Sequence, residues 1–333
     1  MIEELDPRSA ELQVEAVRVV AIGPDQAVLA FRFEDEDDFS TEMSLVFSAK
    51  GFAKTSRLFA VAQSVRDAYF DGKDLWVVDR HHVHRASGTL KKPAQKVLPG
   101  HVHVNAIAGT SAKDIYAVGE GVLHWNGKSW KMLTYEGGEL SCAAAGKDAV
   151  YAAGEDGALV ELRGAKVRAL PAPEDARFES IFVSAGGELC VGGHRLALRG
   201  PPDALSAVTL PKKAEVVVGI AELAGKTYWA TVGDGAGFGL FVQRRAKLEL
   251  VDARIAGQLS ASGKYLFVSG DLGALRFDGK DWMVLGLAWD ERKRRWNLVP
   301  GTLDDISEDQ GRRPGPGRLS SASSHARATS MRA

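Results

Sequence analysis

Six of the eight histidines in this 333-residue sequence fall between His81 and His124. His81-His82-Val83-His84 and His101-Val102-His103 space imidazoles two apart, and residues two apart on an extended chain share a face. Imidazole and carboxylate both suit zinc and other transition metals. Glu34-Asp35-Glu36-Asp37-Asp38 supplies five acids in a row. His81, His82, His101 and His103 are thus the candidate metal ligands, with a solvated polar rim as the plainer reading. Their spacing matches no recognised metal motif, so neither a bound metal nor another cofactor is expected. A docking surface suits the charges better, because like charges held on one loop steer an oppositely charged partner.

Other stretches mimic chemistry and fail on its requirements. Asn126-Gly127-Lys128-Ser129 ends like a phosphate-binding loop, but Val122 stands where that loop needs its first glycine, and Trp130 begins a strand where a helix is needed. Asp278-Gly279-Lys280-Asp281 repeats the pattern without the hydroxyl, so both read as hairpin turns. Gly233-Asp234-Gly235-Ala236-Gly237-Phe238-Gly239 lacks dinucleotide spacing and reads as a long flexible loop. There is no Gly-x-Ser-x-Gly elbow and no His-Glu-x-x-His. No catalytic residue is assigned.

The elements that position these residues follow from a recurring turn. Gly72-Lys73-Asp74, Ala112-Lys113-Asp114, Gly146-Lys147-Asp148, Gly186-Gly187-Glu188, Gly225-Lys226-Thr227 and Gly263-Lys264-Tyr265 each lead into an apolar strand, with Pro24-Asp25-Gln26 as a degenerate first copy. The clearest unit puts strands at Val104–Ala108, Ile115–Val118, Val122–Trp125 and Trp130–Leu133. Asn126-Gly127 between the last two predicts a hairpin whose central residues both take positive φ. Gly119, Gly154, Gly193, Gly233 and Gly270 close the second strand of five units, while Asp79 and Glu34 take that place in the other two. Seven antiparallel four-stranded units, none able to bury its faces alone, predict an all-β seven-bladed β-propeller from Val14 to Gly286, with six or eight blades as alternatives. Connections from second to third strands and from one blade to the next open on one end of such a ring. That topology gathers the acidic run and the histidines on one face.

Asp114 to Gly119 followed by Gly121 to Trp130, and Tyr265 to Gly270 followed by Gly273 to Trp282, resemble the repeats of bacterial kelch and BNR-like propellers. The resemblance implies the fold and a role in recognition, and carries no catalytic residues. No Trp-Asp dipeptide closes a third strand, which departs from a WD40 array. Trp125 and Phe277 recur in corresponding places and are expected to pack between blades.

The totals agree with one large domain: an N-terminal extension over 1–13, the propeller over 14–306 and a tail over 307–333. The tail, rich in Gly, Pro, Ser and Arg, has little to bury and is expected to be disordered. Arg292-Lys293-Arg294-Arg295 reads as a solvated turn anchored by Trp289 and Trp296. A net charge of −1 argues against a phosphate-neutralising nucleic-acid binder. No signal-like start or membrane-length apolar run is seen, so a cytoplasmic location is expected. Cys142 and Cys190 are expected to be buried free thiols. The reading is a non-catalytic module that binds another, basic protein through Glu34, Asp35, Glu36, Asp37, Asp38, His81, His82, His101 and His103, as an immunity protein occludes a basic toxin. The alternative is a metal-dependent hydrolase or lactonase with its site over the central channel.

Overall fold

The computed structural model describes residues 12–35, 42–87, 93–97, 102–270, 273–290, 292–301 and 303, with backbone only at 12, 13, 35, 42 and 93–97. Seven antiparallel sheets cover 12–61, 67–97, 104–133, 140–169, 178–207, 214–252 and 258–301. Each is a meander, and their first strands pack side by side around a central channel. This is a seven-bladed β-propeller. The 307–333 tail lies outside the described residues.

Side-chain alternation explains the stacking. Successive residues of a strand face opposite neighbours, so each blade donates one apolar row to the blade before it and one to the blade after. Seven hydrophobic clusters result, one per interface. Between blades 2 and 3, buried Trp76 meets Trp125 at 5.7 Å and Trp130 at 6.2 Å. Trp125 and Phe277 do pack between blades, Phe277 in the cluster joining blades 6 and 7.

The ring closes without exchanging a strand between its ends. Blade 7 has a fifth strand, Arg295–Gly301, absent from the expected Val14 to Gly286 span. It is reached by the basic turn, and Trp289 and Trp296 face each other at its base, 5.6 Å apart. Trp296 then packs on Phe33 of blade 1 at 5.2 Å. Arg18 donates to Gln258 at 3.0 Å and the Ala21 N–H to the Ser260 hydroxyl at 3.0 Å across the same seam.

Two turn expectations need correction. At Asn126-Gly127 only the glycine has positive φ, 90°. Asn126 acts through its side chain instead, accepting the N–H groups of Lys128 and Ser129. Asp278 and Asp71 build the same turn. The glycine-rich 233–239 stretch is not a loose loop: it holds a 3-10 turn, Gly235–Gly237, pinned by the Thr231 hydroxyl donating to the Gly237 carbonyl at 2.6 Å.

The recurring strand-closing glycines answer to a close approach. A Cβ on Gly119, Gly154, Gly193, Gly233 or Gly270 would sit 1.9–2.6 Å from a carbonyl oxygen of the segment leading into its own blade.

Candidate functional site

In blade 2 the second strand, Asp74–Val78, passes to the third, His82–Ser87, through a tight loop. Asp79 opens that loop with its side chain 2% exposed. Oδ1 accepts the N–H groups of His81 and His82, each at 2.7 Å. Oδ2 lies 2.7 Å from His84 Nε2, and His82 Nδ1 is 3.3 Å from Oδ1. Burial alone would raise the Asp79 carboxyl, but His84 and the loop N–H groups outweigh it and hold the group below the usual carboxylate range.

Around this buried pair lies an exposed rim. The rings of His81 and His103 stand 5.1 Å apart, edge to face. His103 Nδ1 is 2.8 Å from Glu120 Oε1 and 3.3 Å from the Arg80 guanidinium. One nitrogen cannot both donate to the carboxylate and accept from the guanidinium, so the shorter contact assigns its proton toward Glu120. The Val104 N–H donates to the Arg80 carbonyl, and the Glu120 N–H to that of His103, fastening the blade 2 loop to blade 3.

The sequence places His81, His82 and His103 together, and the rings do neighbour one another. His101, Glu36, Asp37 and Asp38 lie outside the described residues. Asp35 ends the second strand of blade 1, and its side chain is not described. Glu34 lies on the face of that strand that also carries Val28 and Ala30 toward blade 2. Its partner is Arg32, at 3.8 Å. Among the described residues the metal-capable group is Asp79, His82 and His84, which shares His82 with the expected set; His101 of that set lies outside the described residues. His84 is missed because sharing a face with His82 does not reveal its partner. The available signal is Asp79 standing where five blades have glycine.

Below the rim, the central channel holds a cavity of about 100 Å³ lined by Arg18, Arg66, Asp67, Asn105, Glu179 and Gln258, among others. Its charges are largely paired. Arg18 Nε is 2.6 Å from Asp67 Oδ1, and Asp67 also takes the N–H groups of Ile107 and Ala68. Complete burial pushes the Asp67 carboxyl up, against the pull of Arg18 and those N–H groups. Among the described residues no side chain at this cavity is posed as an activated nucleophile. The free thiols of Cys142 and Cys190 are both pushed up by burial, Cys190 to about 12, which leaves them protonated and inert.

No family model and no curated protein sequence matches this chain, so kelch or BNR membership is not confirmed. Solved structures do match. Virginiamycin B lyase from Staphylococcus aureus superposes with a TM-score of 0.61 at 11% identity, covering 80% of this chain and 97% of that one. The WD40 propeller domain of Doa1 gives 0.59 at 12%, covering 80% and 96%. YCF48 bound to D1 peptide gives 0.58 at 12%, covering 80% and 93%. One of these is named for a reaction, another for a bound peptide. At such identities the likeness shows the shared β-propeller fold and nothing finer.

Proposed function

We propose that this propeller is a non-catalytic binding module that docks a basic protein on the face bearing Glu34 to Asp38, His81, His82, His101 and His103. What supports the reading is strand order: Glu34 near the end of the second strand of blade 1, the Asp79–His84 loop after that of blade 2 and the His103–Glu120 pair beside that of blade 3 stand at equivalent ends of three successive blades. Loops on a rigid scaffold are where specificity is built. The run of five acids supplies the charge that would steer a basic partner. A toxin occluded by its immunity protein is a partner of this chemistry. The small channel, with its charges largely paired, supports binding over catalysis, and a propeller bound to a peptide, YCF48, offers a precedent for the mode.

The experiment captures the partner from the source cells, then measures the purified pair by surface plasmon resonance. Changing Glu34, Asp35, Glu36, Asp37 and Asp38 to Gln or Asn should slow association and flatten its salt dependence. Changing His81 and His103 to Ala should speed dissociation. Unchanged kinetics in both variants at low and high salt would move the docking site to another face.

A further inference from the structure

We propose that Asp79, His82 and His84 form a binding site for one divalent transition-metal ion of the zinc class, at the rim of the interface between blades 1 and 2. The inference is independent of any docked partner.

Geometry is the first support. One nitrogen of each imidazole and one oxygen of Asp79 all lie within 4.8 Å of one another. Ligand atoms bound tetrahedrally at about 2.0–2.1 Å from zinc stand roughly 3.3 Å apart. The 2.7 Å contact between Asp79 Oδ2 and His84 Nε2 must therefore open a little, and His82 must swing inward. His82 has the freedom to do so, with its side chain 27% exposed on the solvent side. Two imidazoles and one carboxylate form a donor set that borderline divalent ions favour. On binding, the ion takes the place of the hydrogen between Asp79 and His84, and His84 binds as the neutral tautomer that carries its proton on Nδ1.

The second support comes from comparing the blades. Asp79 occupies the position that glycine fills in blades 3 to 7. Two residues back, the cross-strand partner is His84 opposite Val77 in blade 2. In the same register stand Leu123 opposite Ala117, Val160 opposite Ala152, Leu198 opposite Val191 and Leu275 opposite Val268. Blade 6 has Gly239 there, and blade 1 has Ser44, whose hydroxyl oxygen accepts the Val65 N–H. Blade 2 thus replaces a glycine and an aliphatic residue with a carboxylate and an imidazole, both buried and touching. Blades 3 to 6 bulge at this end of the first strand pair, whereas in blade 2 Asp67 pairs with Val78 in unbroken register, as Gln258 does with Ser269 in blade 7. Four apolar counterparts show that the blade stacks without these polar groups, and burying such groups costs stability unless they are paired. Stacking therefore does not require the pair, and its donor atoms are of the types a zinc-class ion takes.

A tetrahedral ion held by three protein ligands keeps a fourth coordination position. Water or a side chain of another molecule can occupy it.

The test uses untagged, chelator-treated full-length protein and zinc ions alone, by titration calorimetry and by elemental analysis after dialysis. One zinc per chain is expected. His82→Ala and the double change Asp79→Gly with His84→Leu should each weaken binding by roughly tenfold or more. The double variant gives blade 2 the residues its siblings carry, so it should remain folded by circular dichroism. His81→Ala with His103→Ala should retain the single zinc. The proposal is overturned if the wild-type protein binds no zinc. It is equally overturned if the folded Asp79/His84 variant binds as tightly, or if loss follows His81 and His103 instead.

Discussion

Asp79 and His84 make a 2.7 Å hydrogen bond inside the propeller, in positions that other blades give to glycine and to an aliphatic side chain. The same carboxylate holds the N–H groups of His81 and His82, so one buried group fixes both the loop and the imidazole. Removing only Asp79 strips His84 and both loop N–H groups of their acceptor, whereas replacing both residues leaves no buried imidazole unpaired and only the loop N–H groups without that acceptor. Asp79→Ala should therefore cost about 2–4 kcal/mol. Asp79→Gly together with His84→Leu should cost less than the single change despite removing more polar contacts. Urea unfolding of the two variants against wild type measures this, and an additive loss in the double variant would contradict it.

Asp114 sets a comparable network at the opposite end of blade 3. Its carboxylate accepts from the hydroxyls of Thr110 and Tyr116 and lies 2.8 Å from His124 Nε2. Burial would raise its pKa, but these hydrogen bonds outweigh it and the group is lowered. A depressed folded-state pKa means that the stabilisation is complete above the unfolded value, about 3.9, and is lost as pH falls through the lower folded value. The Asp114→Asn variant should be less stable than wild type at pH 7, and the gap should narrow below about pH 4. Unfolding free energies at a series of pH values check this. A gap that stays constant to the acid limit would show that the charge of Asp114 is not what its neighbours stabilise.

The seven-fold repeat is legible in the sequence because turns and strand ends carry strong local constraints. A turn of the Gly-Lys-Asp type opens the apolar strand of most units and a glycine closes it in five, whatever lies around them. The fifth strand of blade 7 is hidden because a run of four basic residues between two tryptophans looks like the end of a fold. The packing of Trp296 on Phe33 shows where that strand goes, into the seam between blades 7 and 1. The neighbourhood of His81, His82 and His103 is legible from topology. The Asp79–His84 pair is not, because it depends on which residue stands across the strand pair. That register becomes visible only when the blades are overlaid.

The interblade aromatics allow a graded test. Trp125 packs on Trp76 and Trp130 between blades 2 and 3, and Phe277, 6% exposed, stacks on Trp282 at 4.6 Å. Truncating a buried aromatic removes transfer energy and leaves a cavity, together about 3–5 kcal/mol. Phe277→Ala should reach that range. Trp125→Ala should fall short of it, because that ring is only half-buried. Lys128→Ala, on the exposed turn that follows Trp125, should leave Tm nearly unchanged. Thermal unfolding of the three variants ranks them, and equal Tm values would contradict the packing.

The strand-closing glycines make a sharper steric prediction. A Cβ on Gly154 would lie 1.9 Å from the Glu139 carbonyl oxygen and 2.6 Å from the Leu140 Cα, both backbone atoms that no rotamer change can move aside. Relief requires the segment leading into blade 4 to shift, and with it the Leu140 side chain, which is fully buried between blades 3 and 4. A Cβ on Gly164, on an exposed turn of the same blade, would meet nothing within 4 Å, but the residue has a φ of +54°. The two sites therefore separate crowding from backbone preference. Gly154→Ala should cost at least the roughly 1–3 kcal/mol typical of overpacking, while Gly164→Ala should cost only about 1 kcal/mol from its left-handed conformation. Urea unfolding of both variants measures the difference. A Gly154→Ala protein as stable as Gly164→Ala would mean that the blade accommodates a side chain there without displacing its inner strand, and the steric account of the repeated glycine would fall.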